Sequence, residues 1–367
     1  MMPEELCRIA LTLVPHIGDV HARILVQQFG SASAVFQAPA RDLEALEGIG
    51  TTRAFALRSF RGFDQAEQEL RFIKSKGIRA LFLTDSDYPR RLLHCYDPPA
   101  LLYSKGTTDL NASRTVAIVG TRKPSDYGRQ FTEQLIAGLA PHRVTIVSGL
   151  AFGIDALAHQ LALRHGLPTL AVVGHGLHTI YPTEHTALAR EIITAGGSIL
   201  SEFTSGTKPD KHHFPLRNRI VAGLCDATVV IETGMKGGSM ITARLADSYH
   251  RDVFALPGRV SDARSSGCNH LIRLQKAHLL TGADDLLEGM GWNEKALPPK
   301  PAQRSLFPEL TPEERQIVDL LQGQETAHID TLNGAGSLSP STVAAALLSL
   351  ELQQVVRALP GSRYKLL

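Results

Sequence analysis

The chain has 367 residues, enough for two or three domains. It is 43% hydrophobic and 20% charged with a net charge of only +2. That is a globular composition without a whole-molecule basic field, so a nucleic-acid site has to be a local patch. Cys7, Cys95, Cys225 and Cys268 form no CxxC pair, which argues against a zinc ribbon or a disulfide framework and fits a reducing compartment. No uncharged apolar run approaches the ~20 residues of a membrane span. Glu4 and Glu5 stand where a signal peptide carries cations. A cytoplasmic protein without membrane association is expected.

Residues 1–62 read as helical. Gly48-Ile49-Gly50 has the pattern of a helix-hairpin-helix motif: two glycines permit the tight turn, and the next helix start offers free N–H groups to a phosphate. In an earlier copy at 15–22, His16 stands where the first glycine belongs, and Asp19 would repel a phosphate. The expected unit is a helix-hairpin-helix or SAM-like domain, for DNA contact or for protein interaction. Residues 66–76 then read as a helix closed by Gly77, and 78–83 and 100–103 as short strands.

From Thr115 the chain alternates. Short β-branched runs at 116–119, 144–147, 170–173, 199–203, 228–231 and 253–256 are separated by helical patterns at 127–140, 155–165, 184–195, 216–224 and 241–250. Continuous apolar runs between helices imply a parallel sheet covered on both faces. The expected fold class is therefore α/β: an extended Rossmann-like parallel sheet over 66–290, flanked by the helical domain and by a C-terminal winged helix. Ligands of such sheets bind at the carboxyl ends of the strands.

Those ends carry the candidate site. They include Gly120-Thr121-Arg122, Ser148-Gly149 with Gly153 and Asp155 downstream, Gly174-His175-Gly176 with Tyr181 after it, and Gly237-Gly238-Ser239. Glycines let backbone N–H groups approach an anion, and Ser239 can donate or cap beside them. In the stretch 211–224, Lys211, Arg217 and Arg219 surround Phe214, with Asn218 between the two arginines. Pro215 suits a first helical turn, and Ile220, Val221 and Leu224 give that helix an apolar side. Cations neutralise phosphates and an exposed ring takes a base on its face. The stretch thus reads as a loop presenting Lys211 and Phe214, and a helix presenting Arg217, Asn218 and Arg219. The plainer alternative is a solvated basic helix start with a buried Phe.

Residues 291–310, with Pro298-Pro299-Lys300-Pro301, read as a linker. Residues 311–367 read as a winged helix: Thr311 caps a first helix, 328–333 and 341–352 are the next two, and strands 355–359 and 364–366 flank a turn. The third helix is the groove reader of such folds. From 339 to 354 it holds no Lys or Arg, which favours a protein contact or weak DNA contact over sequence-specific readout.

Val119-Gly120-Thr121-Arg122, residues 148–155 with Ala158-His159, residues 214–224, Gly237-Gly238-Ser239 through Arg244, Pro257-Gly258 and Gly267 through Asn269 together resemble the DprA/Smf family of DNA-processing proteins. The resemblance implies single-stranded DNA binding on a Rossmann-like domain, a homodimer, and loading of the RecA recombinase during natural transformation. It places Arg122 and Lys211 on phosphate, Phe214 on a base, and anion contacts at Ser148 and Gly149. No cofactor is expected, since GxGxxG and GxxxxGK[ST] are both missing. Catalysis is disfavoured. Compared with lonely-guy-type phosphoribohydrolases, the loop 235–243 lacks the Pro, the third Gly and the Glu, and the rim acids Asp155 and Glu202 read as caps. His175 with His178, or His212 with His213, has no matching carboxylate for a metal.

Overall fold

The computed structural model describes residues 2–293 and 310–367, apart from 325, 336, 337, 354 and 360. Most of the expected linker, 294–309, lies outside the described residues, as does Pro360 in the expected turn. The chain divides into two compact units, 1–293 and 294–367.

In the first unit the apolar runs become strands β1 (Arg79–Phe82), β2 (Leu101–Gly106), β3 (Thr115–Gly120), β4 (Thr145–Ser148), β5 (Thr169–Val172), β6 (Ser198–Ser201), β7 (Ala227–Ile231), β8 (Asp252–Ala255) and β9 (His278–Leu279). Among the described residues they form one sheet in the order β1-β2-β6-β5-β4-β3-β7-β8-β9. From β6 to β9 every neighbouring pair is parallel. β1 and β2 add an antiparallel arm, β2 pairing with β6. The sheet is thus mixed at one edge, not parallel throughout, and β9 extends it by a two-residue strand that the pattern of apolar runs did not reveal.

Burial on both faces explains why these strands are apolar without alternation. Along β3, Ala117 and Val119 join one core, while Val116 and Ile118 join another with Leu135, Leu161 and Leu286. The chain builds from β3 through β4 and β5 to β6 on one side, then returns to place β7 on the other side of β3. That reversal opens a crevice at the carboxyl ends of β3 and β7, where doubly wound sheets bind ligands.

Among the described residues, six helices precede the sheet: Glu4–Leu13, Asp19–Phe29, Ala32–Gln37, Ala40–Glu44, Gly50–Ser59 and Phe63–Lys76. The boundary expected between 62 and 66 runs through continuous packing, because Leu11, Leu25 and Val35 share one core with Leu102, Val172 and Ile220 of the sheet unit. His16 takes φ +64°, the left-handed conformation that the missing glycine would have adopted freely. The Asp19 carboxylate is held within the fold, accepting from the Ala100 N–H at 2.8 Å and from the Arg219 guanidinium at 2.7 Å.

The second unit has helices Pro312–Leu321, Ile329–Ala335 and Pro340–Leu352, with strands β10 (Ala327–His328), β11 (Val356–Leu359) and β12 (Arg363–Leu366) in the order β10-β12-β11. Thr311 caps the first helix in a reciprocal box with Glu314. This is the three-helix, winged arrangement expected, with its own core around Ile317, Leu332 and Leu347.

Candidate functional site

The crevice at the ends of β3 and β7 contains a cavity of about 350 Å³. It collects Gly120, Thr121, Arg122, Gly149, Phe214, Arg217, Asn218, Gly237, Gly238 and Ser239 from separate stretches of chain. Asp155, Val221, Thr233 and Thr242 also line it.

Close backbone approach builds this concavity. A Cβ on Gly120 would lie 2.0 Å from the Ile231 carbonyl oxygen, and one on Gly149 would lie 1.9 Å from Nη1 of Arg217. Neither position has room for a side chain. Gly153 has φ +81° and sits against the Thr121 carbonyl, so the β3 and β4 loops touch; Ile154 N–H donates to Thr121 O at 3.2 Å. The helix expected at 241–250 begins earlier, as Gly238–Ser248. Gly238 and Ser239 therefore form its first turn, whose N–H groups have no carbonyl one turn back and favour an anion.

The helix His213–Leu224 divides its polar residues by face. Arg217 lies three and four residues before Ile220 and Val221, on the buried side. It is only 5% exposed, and its Nη1 donates to the Val172 carbonyl. Burial lowers its pKa, while the nearby Asp155 carboxylate opposes that change. Its Nε is buried without a hydrogen-bond partner among the described residues. Arg217 is thus the cationic floor of the cavity, not a residue on a solvated helix face. Asn218 and the half-buried Phe214 ring form one wall. Tyr181, which the strand-end pattern only brushed against, is exposed with its ring centroid 5.9 Å from that of Phe214.

Several expected contacts are committed elsewhere. Arg219 points away from the cavity into a cluster of carboxylates: Asp19 at 2.7 Å, Asp97 at 3.5 Å, and Glu202. Burial alone would lower its pKa, but Glu202 and Asp19 raise it overall. The Ser148 hydroxyl donates to the Ile118 carbonyl at 2.6 Å, and the Gly149 N–H donates to Asp155 at 3.1 Å. Both expected anion donors are therefore satisfied internally. Asp155 organises the β4 loop, with burial raising its pKa against the pull of Arg217. Gly153 and Lys211 do not line this cavity, and Lys211 is solvent-exposed just after Asp210. Among the described residues, Arg122, Asn218 and the first turn at Gly238 line the cavity without an ion-pair or side-chain hydrogen-bond partner.

Both rim acids have partners in the fold: Asp155 accepts the Gly149 N–H and Glu202 pairs with Arg219. Among the described residues no group of three or more His, Cys, Asp or Glu side chains is placed to hold a metal. His175 instead bridges its own loop, its Nε2 accepting the Tyr181 N–H at 3.2 Å. All four cysteines are buried thiols. No described helix is long and apolar enough to cross a membrane.

Residues 79–291 match the family described as DNA recombination-mediator protein A, and 298–362 match the DprA winged helix domain. The chain belongs to this DprA/Smf family, whose members are DNA-processing proteins. Protein Smf of Synechocystis is 35% identical over 99% of this chain and 98% of its own length. DNA processing protein DprA of Streptococcus pneumoniae is 42% identical over 67% of this chain and 85% of its own. The X-ray structure of the S. pneumoniae DprA aligns with a TM-score of 0.66 at 33% identity, covering 78% of this chain and 98% of that one. DprA of Helicobacter pylori, whose structure is described by its single-stranded DNA binding mode, aligns at 0.53 and 34% identity over 59% and 96% of the two chains.

Proposed function

We propose that this protein binds single-stranded DNA without chemistry, protects an incoming strand, and loads RecA onto it during natural transformation and homologous recombination. The observation that carries this reading is the cavity itself. An exposed cation, Arg122, an accessible ring, Phe214, and the first turn of the helix at Gly238 converge on one space at the sheet's carboxyl edge. Cations and amides attract a phosphate, while the ring accepts any base. The H. pylori relative supports the same ligand class by its described binding mode.

Fluorescence anisotropy with a single strand, a duplex of the same sequence and a mononucleotide tests this reading. The single strand is expected to bind most tightly, and a chain lacking 311–367 to keep most of that affinity, because the cavity is lined wholly by residues 119–242. Equal binding of duplex and single strand, or loss of binding in the folded truncated chain, would contradict it. RecA loading is tested by filament assembly on a strand already coated with single-strand-binding protein.

A homodimer belongs to the same proposal. In the later part of the sheet unit, Leu256 and Leu271 are apolar but buried in the core. Leu274 is 48% exposed, and nearby in sequence Leu279 is 49% exposed on edge strand β9. Leu274→Asp with Leu279→Asp is expected to shift sedimentation from dimer to monomer with the melting temperature of the monomer fold retained. A wild-type chain that sediments as a monomer at micromolar concentration would refute the dimer.

A further inference from the structure

Beside the main cavity, on the far side of the β3 loop, lies a second cavity of about 480 Å³. Arg122 borders both. The second is further lined by Lys123, Arg129, Phe152 and Gln160, with Gly153 at its base. Lys123 and Arg129 are exposed, and neither forms an ion pair among the described residues. Phe152 is 43% exposed, in the loop between β4 and the helix Ile154–Arg164.

An apolar ring left partly exposed in a solvated loop gains free energy when something covers it. The ring is also braced. His185 meets it edge-on, with centroids 4.9 Å apart and planes at 65°. The His185 Nδ1–H donates to the Leu150 carbonyl at 2.7 Å, which fixes the imidazole from behind. Gly153, by letting the β3 and β4 loops touch, holds Phe152 and Arg122 on adjoining ridges. A fixed ring flanked by free cations matches the pairing of stacking platform and basic track that holds single strands.

We infer that the second cavity is an additional nucleotide subsite. Phe152 stacks a base there, Lys123 and Arg129 take the adjoining phosphates, and Arg122 is the ridge over which the strand passes from one cavity to the other. This deepens the proposed single-strand binding and rests on it. It adds residues on the β4 loop and on the helix Asp126–Leu139 to a path that the basic stretch 211–219 alone does not define.

The test is a length series of oligothymidylates, from about 4 to about 16 nucleotides, spanning the site sizes of single-strand binders. The wild type is expected to gain affinity with length until both cavities are filled. Phe152→Ala is expected to remove much of that gain, lowering affinity for the longer oligomers by roughly 5- to 150-fold, the range for removing one stacked base–ring pair. The shortest oligomer is expected to bind as in the wild type. Phe152→Trp is expected to restore the gain. Arg129→Ala is expected to lower the salt slope by about 0.7 for long oligomers alone.

Equal losses at every length, or no loss at any length in either variant, would overturn the second subsite while leaving the main cavity as the binding site. Failure of the wild type to bind any oligomer would overturn both readings. Phe152 and Arg129 are both exposed, so their variants are expected to melt with the wild type. Should Phe152→Ala melt lower, Arg129→Ala carries the test through its salt slope.

Discussion

Arg219→Ala is expected to cost about 3–5 kcal/mol of stability, the range for breaking a buried ion pair by removing one partner. The guanidinium serves Asp19, Asp97 and Glu202, and its Nη1 also donates to the Asp97 carbonyl at 2.7 Å. Tyr249 O–H donates to the same Asp97 carboxylate. Removing the cation leaves three carboxylates facing one another, with Glu202 the most buried of them. Arg219→Lys keeps the charge but loses the planar fork that reaches several acceptors, so it is expected to fall between the two. Asp19→Asn is expected to cost less than Arg219→Ala, since two carboxylates still balance the arginine. Chemical denaturation of the 1–293 unit checks the order. An Arg219→Ala midpoint equal to that of the wild type would refute the role assigned to the cluster.

The largest expected losses of binding separate two kinds of interaction at the main cavity. Phe214→Ala is expected to weaken single-strand binding by about 1–3 kcal/mol with the salt dependence nearly unchanged, and Phe214→Trp to restore much of it. Arg122→Ala is expected to weaken binding and to reduce the salt slope by about 0.7 for each phosphate it no longer neutralises. Affinity measured across a salt series distinguishes them. Phe214 is half-buried, so thermal melting accompanies the binding data. A variant that melts and binds like the wild type would refute stacking at this position. Arg219→Ala serves as a contrast, since it is expected to act on stability and to leave the salt slope of the folded fraction unchanged.

The alternation of strands and helices from Thr115 onward was legible because the central strands are buried on both faces and therefore lack a polar-apolar alternation, as with 227–231. The strand-end loops were legible for a related reason: Gly120 and Gly149 stand where backbone or a guanidinium lies within 2.0 Å of a missing Cβ. The allocation of the arginines was only partly legible. Arg217, Ile220, Val221 and Leu224 fall at i, i+3, i+4 and i+7, which places Arg217 on the buried stripe and Arg219 on another face. That spacing is present in the sequence and separates residues that charge alone grouped together. The partners of Arg219 were not legible, since Asp19 lies 200 positions away. The same holds for the Gly149 N–H and Ser148 hydroxyl, whose acceptors are chosen by loop geometry that no local pattern specifies. The antiparallel β1-β2 arm was hidden because strand direction depends on the path of the intervening chain. β9 was hidden because two residues carry no periodicity.

The carboxylate cluster around Arg219 also constrains how the N-terminal segment can diverge. The arginine sits on the helix that walls the cavity, whereas one of its acids, Asp19, belongs to the first helical hairpin. Loss of the acid at 19 subtracts one carboxylate from a balance that still includes Asp97 and Glu202, and loss of the arginine strands all three. Positions 19, 97, 202 and 219 therefore form one charge balance, in which a change at one alters the cost of a change at another. A chimera that takes its hairpins from one relative and its sheet from another inherits a matched charge set only when both parents solved the balance in the same way.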